Sequence, residues 1–285
     1  MGVYQQTIKN EISFSGIGVH SGKICKATIR PAGTDIGIVY RRTDVANEQA
    51  LIKADFKNVR STNLNTTIEN NCGVSVSTVE HLMAALWGCG IDNCYIDISA
   101  SEVPIMDGSA EPFVFAIDSA GIDTQKKPRK YLTILKEIVI SEIDKHGFEM
   151  HSSLSPEKNL QIDLKIEFAN KVIGSQSFYY NDLITDFRTC ISRARTFCLE
   201  SEIDYMHKIG LAKGGSLDNA VVVGEKKILN SDGLRYSDEF VRHKLLDSIG
   251  DMYLSGYHIQ GKFTGKRSGH KMNNLLLQEL FKDQS

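Results

Sequence analysis

The sequence lacks an apolar run long enough to cross a membrane, and it lacks a large excess of charge of either sign. Its longest apolar stretches, such as residues 83–87 and 220–223, fall far short of the roughly 20 residues that a membrane helix needs. The formal net charge is -2, so no general basic field favours nucleic acid. Charged residues at Lys9 and Glu11 precede any apolar run suited to a signal peptide. We therefore expect a cytoplasmic protein that has no transmembrane segment and binds no nucleic acid.

Cysteine pairs of the CxxC type are also absent, which argues against a structural zinc cluster. The chain has 285 residues, of which 41% are hydrophobic, and can bury a core without disulfide bonds. We therefore predict reduced cysteines that act as small buried apolar side chains. The six cysteines are Cys25, Cys72, Cys89, Cys94, Cys190 and Cys198.

Two stretches that each mix strands with helices are separated by the polar, basic segment at residues 123–130, whose composition is typical of a linker. We place a domain boundary there and predict domains at residues 1–126 and 127–285. In each half, strands that bury one face against helices would form a two-layer sandwich. The predicted fold class is therefore α+β, with two similar α/β sandwich domains facing one another.

Periodicity predicts the main elements of each half. The first-half helix at residues 77–86 would be capped by Ser77 or Thr78 and end at the glycines near residue 88. A longer helix is predicted at residues 237–253. Predicted strands cover residues 26–31, 37–41 and 95–99 in the first half, and 132–141, 148–152 and 161–168 in the second.

Both predicted helices carry side chains suited to a catalytic metal site. His243 and Asp247 lie four residues apart on one helical face, close enough to bind a single ion. With His81 they would supply two imidazoles and one carboxylate, which leaves a coordination position open for water. Glu80 would then stand beside a ligand, where a general base is needed. Alternatively, His243 and Asp247 form a helical surface pair and His81 is a core histidine.

His270 lies in a glycine-punctuated segment ahead of a predicted C-terminal helix, where it is either exposed or presented to a cleft. Amide cleavage requires a proton for the departing amine, and a protonated histidine can supply it. Asp251, one helical turn beyond Asp247, could keep that histidine charged and oriented.

Several long, ordered motifs resemble the UDP-3-O-acyl-N-acetylglucosamine deacetylase family, and the resemblance extends over nearly the whole chain. They are STVEH at residues 77–81, PIMDGSA at 104–110, SRARTF at 192–197, GGSLDN at 214–219 and FVRHKLLDSIGD at 240–251. The resemblance implies a cytoplasmic enzyme of lipid A biosynthesis that removes the N-acetyl group of its nucleotide-sugar substrate. It also implies two duplicated α+β layers, each with an insert. We expect a monomer.

The resemblance assigns zinc binding to His81, His243 and Asp247, and the role of general base to Glu80. This donor set also suits Fe²⁺. It further implies that His270 is the general acid and Asp251 its orienting carboxylate.

The resemblance assigns the remaining roles to residues of the second half. Thr196 would stabilise the oxyanion, Lys244 would contact substrate, and Phe197 would pack against the sugar and acyl chain. An insert near residues 196–223 would form an apolar passage for the acyl chain. Cys198 stands where the family pattern leads us to expect glycine, which affects the dimensions of that passage.

Other motifs have simpler interpretations. The glycines at 214–215 lack the order of a phosphate-binding loop and predict a turn, and PIMDGSA predicts a tight connection. Basic residues surround His270, and we hypothesise that Arg267 and Lys244 bind the substrate diphosphate. His20 follows a glycine-rich, hairpin-like stretch and has no assigned role.

Two rival functions use the same features. A zinc peptidase or another amidohydrolase could employ the same ligands, although the sequence has no HExxH motif. Alternatively, the layers could form a binding module for RNA or a partner with a structural metal, although the acidic balance argues against RNA. An open metal site favours the enzyme, and a fully liganded site favours the binding module.

Overall fold

A computed structural model describes residues 3–46, 49–144 and 147–282 as a mixed α+β structure. The predicted fold class is confirmed. The first half contains β1 (Tyr4–Ile8), β2 (Ile12–Ile17), β3 (Ile24–Pro31), β4 (Ile38–Arg42), β5 (Leu51–Lys53), β6 (Val59–Ser61), β7 (Thr67–Glu69), β8 (Ser75–Val76), α1 (Glu80–Gly88), β9 (Cys94–Ile98), α2 (Glu111–Ala120) and β10 (Ile122–Pro128). The second half contains β11 (Tyr131–Thr133), β12 (Ile138–Ile143), β13 (Glu149–Ser155), β14 (Leu160–Glu167), β15 (Ser175–Asn181), α3 (Phe187–Cys190), β16 (Phe197–Leu199), α4 (Glu200–Lys208), β17 (Val221–Val223), α5 (Glu239–Tyr253), β18 (His258–Lys266) and α6 (His270–Phe281).

The main sheets of the two halves have the same plan. In the first, the order is β2-β3-β9-β4-β5, with β9 antiparallel to β3 and parallel to β4. In the second, the order is β12-β13-β18-β14-β15, with β18 antiparallel to β13 and parallel to β14; β11 also pairs with β18. In each half one helix comes directly before the central strand and another comes directly after it: α1 and α2 around β9, and α5 and α6 around β18. This correspondence accounts for the similar element patterns of the two halves.

Helices α1 and α5 pack directly against one another at the centre of the molecule. Every residue of α1 from Glu80 to Trp87 is buried, and in α5 only Arg242 and Lys244 are not. Gly250 permits this close approach: a Cβ atom there would lie 2.0 Å from the carbonyl oxygen of Glu80. The crossing therefore brings the start of α1 beside the second half of α5.

Replacing Gly250 with alanine is expected to destabilise the protein by about 1–3 kcal/mol or more, since the added methyl group must push two buried helices apart. Thermal unfolding measures the effect. Gly33→Ala is the matched control, because its Cβ would come no closer than 3.9 Å to a neighbouring atom. An unchanged unfolding temperature for Gly250→Ala would contradict the close packing of α1 on α5.

The segment expected to be a linker is instead mostly a strand. Residues 122–128 form β10, which pairs antiparallel with β1. The following Arg129 is buried and donates hydrogen bonds to Asp92 and to the Gly90 carbonyl oxygen, at 2.8 and 2.5 Å. The basic composition of the segment wrongly predicted a linker, because composition does not reveal that a strand will pair with β1 or that an arginine will be buried in an ion pair. The domain boundary near residue 126 remains a prediction.

Two local expectations were also wrong. Helix α1 begins at Glu80, and neither Ser77 nor Thr78 caps it: the N-cap residue is Val79, without a side-chain hydrogen bond. Thr78 has a φ of 57°, and its hydroxyl donates a hydrogen bond to the buried Glu102. Tertiary contacts therefore determine the backbone conformation at the start of α1. The strand expected at 132–141 is two separate strands, β11 and β12.

Candidate active site

The three predicted metal ligands converge where α1 meets α5. His81 lies in the first turn of α1, while His243 and Asp247 are one turn apart on α5. The Nε2 atoms of His81 and His243 lie 3.4 and 3.3 Å from the Oδ1 atom of Asp247. One ligand atom from each residue lies within 4.8 Å of the others. The three side chains are thus close enough to bind one ion.

The chemistry of these groups fits a divalent metal. The Oδ1 atom of Asp247 is buried and has no hydrogen-bond partner within residues 3–46, 49–144 and 147–282. The Nδ1 atom of His243 lies 3.0 Å from the Ala194 carbonyl oxygen, to which it must donate, so Nε2 carries the free lone pair. Burial lowers the pKa of His243 to about 3, which keeps the imidazole neutral near pH 7. Three protein ligands are the number found in catalytic zinc sites.

Lys244 lies beside these ligands and donates a hydrogen bond from Nζ to the Oδ2 atom of Asp247 at 2.9 Å. Burial alone would lower the pKa of Lys244, but the nearby Asp247 carboxylate outweighs it and raises the pKa. The ammonium group therefore stays charged, at the pocket wall, in contact with the second oxygen of a ligand.

Glu80 precedes His81 and is also buried. Burial raises the pKa of its carboxyl group above the ordinary value, because the charged form is poorly solvated. The Oε2 atom accepts a hydrogen bond from the backbone N–H of Thr66 at 3.0 Å. A held carboxylate with a raised pKa is suited to accept a proton from water.

His270 and Asp251 form a second polar unit next to the ligands. The Nδ1 atom of His270 lies 2.8 Å from the Oδ2 atom of Asp251. Burial alone would lower the pKa of His270, but the charge and hydrogen bond of Asp251, with Glu80 and Asp247, outweigh it and raise the pKa to about 9. The expected loop position was wrong: His270 is the first residue of α6. The imidazole is protonated near neutral pH, as a general acid requires.

A pocket of about 260 Å³ opens onto these groups. Its charged and polar lining includes Glu80, His81, His243, Lys244, Asp247 and His270. Its apolar lining comes mainly from the segment expected to form the acyl passage and includes Phe197, Cys198, Leu199, Met206 and Ala220; Thr196 lies beside them. Phe197 packs edge-on against Phe168 and Phe240, with ring centroids 5.6 and 4.9 Å apart. The pocket therefore combines a cluster of charged groups with an apolar wall.

The turn at residues 104–110 holds Thr196 in this wall. The Gly108 carbonyl oxygen accepts a hydrogen bond from the Thr196 backbone N–H at 2.8 Å. Gly108 has a φ of 86°, and a Cβ atom there would lie 2.2 Å from the Asn219 carbonyl oxygen, so glycine is required. The PIMDGSA motif thus forms a tight connection, as predicted, and its Ile105 lines the pocket.

His20 also lines the pocket. Its Nδ1 atom accepts a hydrogen bond from the Ala212 N–H at 3.4 Å, and Gly214 N–H donates to the Val19 carbonyl oxygen at 3.0 Å. A Cβ atom on Gly214 would lie 2.4 Å from the Gly18 carbonyl oxygen. The predicted glycine turn therefore joins the two halves and does not form a phosphate loop.

Arg267 is not among the residues that line the pocket. Its guanidinium group donates to Glu167 at 2.7 Å and lies over the Phe148 ring. Conversely, Thr66 contacts both Glu80 and Asp251, although no sequence signal indicated it. A larger cavity, of about 310 Å³, is lined by none of the predicted site residues. Because the possible metal ligands and Glu80 line the smaller pocket, that pocket is the candidate active site.

Among the described residues, no helix has both the length and the apolarity that crossing a membrane would demand.

Fold and site together define a metal-dependent enzyme: two α+β layers meet at helices that carry a His-His-Asp ligand set next to a buried glutamate. The model of the family described as UDP-3-O-acyl N-acetylglycosamine deacetylase matches residues 5–282. The chain therefore belongs to this deacetylase family.

Two proteins of known name are similar in sequence to this chain over nearly their full length. The chain is 47% identical over 285 residues to the UDP-3-O-acyl-N-acetylglucosamine deacetylase of Teredinibacter turnerae, covering 98% of this chain and 91% of that protein. It is 45% identical over 284 residues to the protein of the same name from Citrifermentans bemidjiense, covering 98% and 90%.

Proposed function

We propose that this enzyme hydrolyses the N-acetyl group of UDP-3-O-acyl-N-acetylglucosamine, giving UDP-3-O-acyl-glucosamine and acetate. This is the committed step of lipid A biosynthesis. The observation that carries the proposal is that one pocket is lined by the ligand set, the buried Glu80 and an apolar wall. A nucleotide sugar with a fatty acyl chain needs an apolar surface next to the site of cleavage.

His81, His243 and Asp247 would hold the metal, and we propose zinc, although the same donors suit Fe²⁺. When bound, the ion supplies Lewis acidity, which polarises the amide carbonyl and makes water easier to deprotonate. The hydrogen bond from His243 to Ala194 fixes the tautomer that leaves Nε2 available.

Side chains of the pocket move the protons. Glu80 accepts a proton from the attacking water molecule while the oxygen of that water forms a bond to the acetyl carbon. The Thr196 hydroxyl donates to the oxygen that becomes negative, which stabilises the tetrahedral state. His270 then gives its proton to the amide nitrogen as the C–N bond breaks, and Asp251 keeps the imidazole charged and oriented. The products are acetate and a free 2-amino sugar.

Substrate contacts follow from the pocket walls. Phe197 would pack against the sugar and acyl chain, and Lys244 would bind a polar group near the metal ligands. Arg267 remains a proposal for the diphosphate, without support from its position outside the pocket wall. We further propose that the enzyme is a cytoplasmic monomer with domains at residues 1–126 and 127–285 and an insert at about 196–223.

Acetate release by metal-stripped protein tests this function. We expect no turnover of UDP-3-O-acyl-N-acetylglucosamine before metal addition and full turnover after one equivalent of zinc, with a parallel anaerobic Fe²⁺ titration to compare the ions. Folded, zinc-loaded protein that releases no acetate would contradict the proposal. Turnover of acetylated peptides would instead favour the rival amidohydrolase, and metal binding without any turnover would favour a binding module.

Removing the acyl chain from the substrate is expected to lower kcat/KM by at least about a hundredfold, since each buried CH₂ group contributes about 0.8 kcal/mol. Comparison of UDP-N-acetylglucosamine with the acylated substrate measures this. Equal values would show that the apolar wall of the pocket does not bind the acyl chain.

A further inference from the structure

Thr66 connects the two polar units of the active site, although it does not line the pocket. It is buried and lies just before β7. Its backbone N–H donates to the Oε2 atom of Glu80 at 3.0 Å, and its carbonyl oxygen accepts from the Val79 N–H at 3.3 Å. Its hydroxyl donates to the Oδ1 atom of Asp251 at 2.6 Å. One residue thus contacts the start of α1 and the last turn of α5.

The Asp251 carboxylate is held by donors on both oxygens. His270 Nδ1 and Asn273 Nδ2 each lie 2.8 Å from Oδ2. Among the described residues, the Thr66 hydroxyl is the one hydrogen-bond donor to Oδ1. Asp251 itself is only 3% exposed, so water does not readily replace a lost donor. Without the hydroxyl, the carboxylate would lose the contact that opposes rotation about its Cβ–Cγ bond, and His270 would move with it.

We propose that Thr66 is a positioning residue that fixes the distance and orientation between Glu80 and the Asp251–His270 pair. The inference rests on the proposed function, in which these groups transfer the protons. Thr66 touches no substrate. Its loss therefore slows the proton transfers, whose geometry it sets, and leaves substrate binding nearly unchanged.

The test replaces Thr66 with valine, which has a similar shape and keeps the backbone bonds to Glu80 and Val79 but has no hydroxyl. We expect kcat to fall about tenfold, as for the loss of a charge-assisted hydrogen bond, while KM and the bound metal per chain stay within about twofold of wild type. Thr66→Ser should restore kcat, because it restores the donor. Thr66→Ala removes the same hydroxyl without adding the second methyl group of valine. It should show the same fall in kcat, and it serves as the test if Thr66→Val does not fold.

Thr67→Val is the matched control, since the neighbouring hydroxyl donates to Asn65 at 3.2 Å and does not reach the site. Its kcat should equal that of wild type. A wild-type kcat for folded Thr66→Val or Thr66→Ala would overturn the inference.

A double-mutant cycle with His270→Gln separates positioning from general structural damage. A residue that acts through His270 loses its effect when His270 is absent, so Thr66→Val should change kcat by less than about twofold in that background. A full tenfold effect there would show that Thr66 acts by another route and would overturn the inference. If His270→Gln alone left kcat unchanged, the proposed general acid would be wrong, which is a different result from failure of the Thr66 proposal.

The side-chain Nδ1–H proton of His270 gives a readout that needs neither metal nor substrate. In metal-free wild-type protein, its NMR signal should lie far downfield because it is bonded to Asp251 in a buried site. Thr66→Val should shift that signal upfield or broaden it, whereas Thr67→Val should not. An unchanged signal in Thr66→Val would contradict the proposed control of Asp251.

Discussion

Replacing Glu80 with glutamine is expected to lower kcat by about 10²- to 10⁴-fold, which is the range for loss of a positioned general base. Glutamine has nearly the same shape and keeps an oxygen that can accept the Thr66 N–H, but it cannot take a proton from water. Burial raises the pKa of the Glu80 carboxyl, so wild-type activity should also fall as the pH drops and this group becomes protonated. Steady-state acetate release as a function of pH measures both effects.

Glu69→Gln is the matched control for this substitution. It makes the same chemical change on β7, where Glu69 pairs with Arg60 away from the pocket, and should leave kcat unchanged. Bound metal should stay at the wild-type level in Glu80→Gln, since Glu80 is not a proposed ligand. A Glu80→Gln enzyme with more than about a tenth of wild-type kcat would rule out this carboxylate as the base.

Replacing Asp247 with alanine is expected to abolish stoichiometric metal binding and to lower kcat by about 10³-fold or more. The variant loses the one charged ligand of the proposed set, and the metal contributes several kcal/mol of transition-state stabilisation. Metal content after dialysis and acetate release with one equivalent of zinc give the two results. Retention of one tightly bound zinc ion would contradict the assignment of Asp247.

Thermal unfolding adds a measurement that does not depend on turnover. A metal that binds the folded state raises its stability, so zinc should raise the unfolding temperature of wild type and not that of Asp247→Ala. Asp163→Ala, on β14, removes a partly exposed carboxylate that pairs with Lys262 and should keep the zinc response. If zinc raised the unfolding temperature of Asp247→Ala as much as that of wild type, the metal would bind elsewhere.

Sequence reasoning identified the parts of the site that depend on local geometry. His243 and Asp247 were found because a four-residue step on a helix puts two side chains on one face, whatever the helix packs against. Glu80 was found because it adjoins His81. The α+β class also followed from local periodicity. The motifs spread over the chain resemble a deacetylase family, and this resemblance then predicted that these groups act together in one active site.

The contacts that join distant segments could be learned only from the tertiary structure. Helix α1 meets α5 because Gly250 lets the backbones approach, and no periodicity indicates which helices will cross. Likewise, the segment predicted to be a linker forms β10 because it pairs with β1, which the sequence alone does not indicate.

For the site residues, long-range neighbours decided what the sequence left open. Thr66 bonds to Asp251 across 185 positions, and an isolated threonine carries no signal of such a partner. Arg267, surrounded by basic residues in the sequence, turns to Glu167 in the fold. The sequence by itself determined the α+β class and the chemical types of the proposed site residues, because these depend on local periodicity and on residue identity. The tertiary structure alone decided which groups meet, because burial and hydrogen bonding act between residues that are distant in the chain.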